Sequence, residues 1–61
     1  GTISQYKGIV KQYHQWKAYI KSNNEMIFLG GYSTQEEAAL AYNNAAMKYH
    51  GKYAVLNAIN P

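Results

Sequence analysis

The stretch from Tyr32 to Ala46 constrains this chain more than any other. Ser33 and Thr34 are followed three residues later by Glu36 and Glu37, so two overlapping capping boxes announce a helix start. Both glutamates also sit favourably at the positive end of that helix. Ala38, Ala39, Ala41, Ala45 and Ala46 then recur at helical spacing. Alanine removes side-chain bulk, so such a helix can lie very close to a flat partner. Gly51, just after Tyr49 and His50, is a natural C′ stop, and the helix is predicted over residues 34–50. Stepping about 100° per residue puts Ala38, Tyr42, Ala45 and Tyr49 on one core stripe, flanked by Ala41 and Ala46. Leu40 and Met47 fall on the opposite side and read as surface apolars.

The flat partner is the segment before it. Residues 16–21 alternate with period 2: Trp16, Ala18 and Ile20 face the core, while Lys17, Tyr19 and Lys21 face outward. Asn23 and Asn24 tolerate left-handed backbone and suit a tight hairpin turn. Residues 26–29 form the next strand, with Ile27 and Leu29 pointing together, and Gly30 and Gly31 end it. Residues 6–12 read as an earlier strand, joined through a turn around His14. Strict alternation there would expose Ile9. A bulge near Gly8 instead buries Ile9 and turns Val10 and Gln12 outward, and this is the favoured reading. The predicted fold is α+β: a three-stranded antiparallel sheet packed on one C-terminal helix. Residues 52–59 are apolar enough, through Val55, Leu56 and Ile59, to fold back along it.

Sixty-one residues make a single domain, 1–61 with a core over 6–57, that buries only a thin core. Net stability should not exceed ~3–5 kcal/mol. Nine aromatic residues, seven of them tyrosine, compensate with large buried areas. With no cysteine there is no disulfide and no thiolate metal site. No apolar run has the length of a signal peptide or membrane span, so an intracellular location is expected. Gly1 and Thr2 read as a cloning scar on a domain excised from a longer protein.

Net charge is +3, and its distribution is uneven. Residues 1–32 hold Lys7, Lys11, Lys17 and Lys21 against Glu25 alone, a net of +3, whereas residues 33–61 balance Lys48 and Lys52 against Glu36 and Glu37. A basic sheet surface suggests a polyanionic partner. Arginine and aspartate are both absent, so no bidentate guanidinium fork is available.

Several of these residues recur in one known pattern. Tyr6, Lys7, Gly8 and Ile9; Trp16, Lys17 and Ala18; Phe28, Leu29 and Gly30; Thr34, Glu36, Glu37, Ala38, Ala39, Ala41 and Tyr42; Ala45 and Ala46; Gly51; Leu56 and Asn57 resemble the APETALA-two/ethylene-response-factor DNA-binding domain. The likeness spans residues 6–57, and its motifs are specific only in combination. The ending over residues 48–57 looks closest to domains of this type appended to HNH homing endonucleases of phages and mobile elements. The resemblance implies a sheet, not a helix, in the DNA major groove. Carried over by position, the DNA-binding residues are Lys7, Gln12, Tyr13, Gln15, Lys17, Tyr19, Lys21 and Phe28, with Val10 and Met26 on the same outward face. Plant members of the family place arginine at several positions held here by Lys7, Val10, Gln12, Lys21 and Met26. The turn between the first two strands is also one residue shorter. The plant GC-rich target therefore does not carry over.

The expected function is sequence-selective binding of double-stranded DNA by a domain that is itself monomeric. It would serve as the targeting module of a mobile-element endonuclease or of a transcription factor, in a bacterial or phage-infected cytoplasm or a eukaryotic nucleus. The rival class is a protein-interaction module using the exposed aromatic sheet face or Leu40 and Met47. Charge discriminates, because protein docking gives no reason for all excess lysine to lie on the strands. Enzymatic chemistry is poorly supported. His14 and His50 are the only histidines, capping explains Glu36 and Glu37, and neither an HNH nuclease nor a zinc site can be assembled. No metal, cofactor, membrane or small-molecule substrate is expected.

Overall fold

Alternation in the second strand organises the sheet. In a computed structural model, which describes residues 6–59, strands β1 (Ile9–Gln12), β2 (Gln15–Ser22) and β3 (Glu25–Tyr32) pair antiparallel in the order β1-β2-β3. Helix α1 (Gln35–His50) follows, then a single 3₁₀ turn, Gly51–Tyr53. This is the expected α+β arrangement. The supposed scar at Gly1 and Thr2 lies outside the described residues.

Thr34 is the N-cap: its hydroxyl oxygen accepts from the Glu37 backbone N–H at 3.2 Å and donates to the Glu37 carboxylate at 3.1 Å. The second of the two capping registers is therefore the one used. At the other end Gly51 adopts φ +58° and stops the helix. Ala38, Ala39 and Ala46 are completely buried against the sheet face that carries Ile9, Ala18 and Ile20.

Several expectations need correction, and the strand ends come first: β3 runs on through Gly30 and Gly31 to Tyr32 instead of stopping before them. The first strand begins at Ile9, not residue 6, because Gly8 turns the chain at φ +80°. A Cβ at Gly8 would lie 2.5 Å from the Tyr42 ring and 2.7 Å from the Tyr19 carbonyl oxygen, so only glycine fits. The turn does bury Ile9, as the bulge reading required. The register irregularity itself sits between β2 and β3: Ala18 pairs with Gly30 and Tyr19 with Phe28, which leaves Leu29 as the extra residue.

Second, the helix is rolled relative to the predicted stripe. Tyr42 is buried, but Tyr49 is 42% exposed, and Asn43 is buried instead. The cause lies in the tail. The Asn43 side chain accepts from the Asn57 N–H at 2.7 Å and donates to the Asn57 carbonyl at 2.9 Å, which turns this flank of α1 toward residues 54–59. His50 rather than Tyr49 then meets the sheet, with Nε2 2.9 Å from the Lys21 carbonyl oxygen. Third, the tail folds back, but polar groups hold it: Val55 and Leu56 remain exposed, and of its apolar residues Ala54 and Ile59 pack on the core. Trp16, expected in the core, is half-buried at its rim, with the Lys11 ammonium 5.4 Å from its ring centroid.

Candidate nucleic-acid interface

Among the described residues, the sheet has one face on the helix and the other uncovered. On β2 the free face carries Gln15, Lys17, Tyr19 and Lys21, because Trp16, Ala18 and Ile20 point the other way. Pairing fixes their neighbours: Val10 and Gly31 flank Lys17, Phe28 lies opposite Tyr19, and Met26 lies opposite Lys21. Gln12 and Gln15 face each other at the end of the first hairpin.

This face is built around an aromatic pair. The Tyr19 and Phe28 rings lie 5.3 Å apart at an interplanar angle of 52°. The Lys17 ammonium sits 5.6 Å from the Phe28 centroid. Phe28 is nevertheless 53% exposed and Met26 is 66% exposed. Lysines beside apolar surface suit a polyanion whose edges also carry apolar groups. A shallow recess of about 300 Å³ opens between Gly8, Val10, Tyr19 and Met26, one lining side chain from each strand over a bare glycine backbone.

Gly31 leaves its stretch of β3 backbone bare. A Cβ there would meet the Gln15 Oε1 at 2.7 Å, so the Gln15 carboxamide lies across uncovered backbone. Beyond it, Tyr13 and His14 form the hairpin tip, both with positive φ, at 49° and 66°. The Asn23 and Asn24 turn has the same geometry, at 52° and 65°, with residues that accept it readily. Tyrosine does not, so the first tip is strained at Tyr13, and it holds that side chain 91% exposed.

Seven of the eight predicted residues thus share one region: Lys17, Tyr19, Lys21 and Phe28 on the strands, Gln12, Tyr13 and Gln15 at the adjoining tip. Lys7 lies outside the strands, with an exposed side chain and a pinned backbone: its N–H donates to the Asn57 Oδ1 at 2.7 Å and its carbonyl accepts from the Asn57 Nδ2 at 3.1 Å. Sequence reasoning missed Asn57 as an anchor and His50 as a sheet contact. A lone polar residue in a tail carries no local signal of such a role. Among the described residues no group of three or more His, Cys, Asp or Glu could hold a metal ion, and no helix is long and apolar enough to cross a membrane.

Comparison with known proteins gives one consistent result. An AP2-like ethylene-responsive transcription factor of Arabidopsis thaliana is 46% identical over 59 residues, covering 90% of this chain and 17% of the relative. The AP2-like ethylene-responsive transcription factor CRL5 of rice is 47% identical over 58 residues, covering 88% of this chain and 9% of the relative. An Arabidopsis AP2/ERF and B3 domain-containing transcription repressor is 38% identical over 55 residues, covering 88% of this chain and 15% of the relative. The chain therefore spans less than a fifth of the length of these relatives. No protein-family model matches it.

Proposed function

The chain resembles AP2/ERF-type proteins over about nine-tenths of its length, and from that premise we propose that it binds double-stranded DNA by laying its free sheet face in the major groove. The observation that carries the reading is the outward row of Lys17, Tyr19 and Lys21, backed by Phe28. Lysines neutralise phosphates and fix register, whereas Gln12, Gln15 and Tyr19 meet base edges. Lys7 adds a phosphate contact from the segment before β1, and Tyr13 reaches the backbone or groove floor from the strained tip.

The domain acts as a monomer and as the DNA-targeting part of a transcription factor, DNA-associated in a nucleus. The similar proteins are named as transcription factors or a transcription repressor, which are not enzymes. They lend no support to the bacterial or phage setting. Attachment to a mobile-element endonuclease rests only on the likeness of residues 48–57. A salt titration of duplex binding tests the proposal. About four lysines at phosphates give a slope of log affinity against log salt of about −3 to −4, and a slope near zero would remove the lysines from the phosphates.

A further inference from the structure

The recess between Val10, Tyr19 and Met26 has a composition the phosphate contacts do not require. We propose that it is a specificity subsite for the C5-methyl edge of thymine in the major groove. This rests on the DNA-binding reading above and names what that surface discriminates.

The three side chains come from three different strands and line the recess together with Gly8, which brings no side chain of its own. The floor is therefore open backbone and the walls are apolar. Lys21 stands opposite Met26 and Lys17 opposite Val10, so the recess is bracketed by two cations on the same face. A surface that holds phosphates on its flanks presents this apolar floor to whatever lies between two backbones. In a major groove, that is the row of base edges. Thymine alone among the four bases offers an apolar group there. Val10 and Met26 have no hydrogen-bonding function with which to read guanine or adenine, and Tyr19 is the one lining side chain with a polar group, whereas a methyl seated against Val10 and Met26 removes apolar surface from water on both sides. A protein side chain would fit an apolar recess equally well, but the flanking lysines favour a polyanion.

The experiment uses the 61-residue chain and duplexes selected from a random pool, with every thymine of the selected site replaced singly by deoxyuridine. Deoxyuridine deletes only the methyl, so base pairing and phosphates are unchanged. Affinity should fall about fourfold at one or two adjacent thymines and stay level elsewhere. Val10→Thr and Met26→Gln, each chosen to keep side-chain size, should abolish the difference between the thymine and uracil duplexes while retaining binding to unselected duplex. Replacing a cytosine by 5-methylcytosine next to the sensitive position should leave the wild-type preference for thymine intact. If deoxyuridine is neutral at every position, or the selected site contains no thymine, the subsite is refuted while DNA binding stands. If no duplex binds at low salt, the underlying reading falls instead.

Discussion

Asn57 grips the main chain of Lys7 from fifty residues away, through one bond to the amide and one to the carbonyl. Its own backbone is bonded in turn to the side chain of Asn43 on α1. One asparagine thus ties the segment entering β1 to the helix, which fixes the approach to Gly8 and the edge of the free sheet face. Asn57→Ala removes both bonds to Lys7 and should cost about 1–2 kcal/mol. Asn57→Asp keeps an acceptor for the Lys7 amide but sets a carboxylate against its carbonyl, so it should be no better. Denaturant melts measure both, and an unchanged midpoint would make the clamp inconsequential.

The helix–sheet seam is lined on the helix side by small side chains, Ala38, Ala39, Ala45 and Ala46. Ala46 is fully buried in it, so Ala46→Leu should overpack the seam and cost about 1–3 kcal/mol. Leu40 is on the exposed side of α1, and Leu40→Ala should shift the midpoint little. Equal effects would mean that the helix is rolled differently.

The strained hairpin tip gives a prediction in which stability and binding move in opposite directions. His14→Gly removes a side chain from left-handed backbone and should stabilise the chain by about 1 kcal/mol. Tyr13→Asn should stabilise it similarly, because asparagine tolerates positive φ. If Tyr13 is used on DNA, Tyr13→Asn will also weaken duplex binding while His14→Gly does so less. Melts and anisotropy on the same two variants separate the effects. Stabilisation by neither would show that the tip is not strained.

What the sequence made legible was whatever a local pattern encodes. Lys17, Tyr19 and Lys21 were placed outward by alternation alone, and Thr34 and Gly51 bounded the helix within a residue. Helix rotation was harder because α1 has alanine on adjoining flanks, at Ala38 and Ala39 and again at Ala45 and Ala46, so there is little contrast to fix the roll. Burial of Asn43 in place of Tyr49 depends on Asn57, a contact that no helical period announces. The register shift was expected near Gly8 because glycine marks bulges. It fell at Leu29, and β3 continues through Gly30 and Gly31, which read in the sequence as the end of the strand. The turn around His14 was legible as a turn, but its left-handed form was not, since Tyr13 does not favour it.

The central claim is that the sheet, rather than the helix, meets DNA, and a matched charge-removal experiment tests it most directly. The double variant Lys17→Ala with Lys21→Ala removes two cations from the free sheet face. Lys48→Ala with Lys52→Ala removes two from the end of α1 and its following turn, where each lysine rests near a tyrosine ring. Net charge changes equally in both, so general attraction to a polyanion is held constant. Affinity for one random-sequence duplex, measured across a salt series, should fall several-fold for the sheet variant, with its salt slope reduced by about 2. The helix variant should keep nearly the wild-type slope. Equal losses in the two variants, or a larger loss from Lys48 and Lys52, would contradict binding through the sheet.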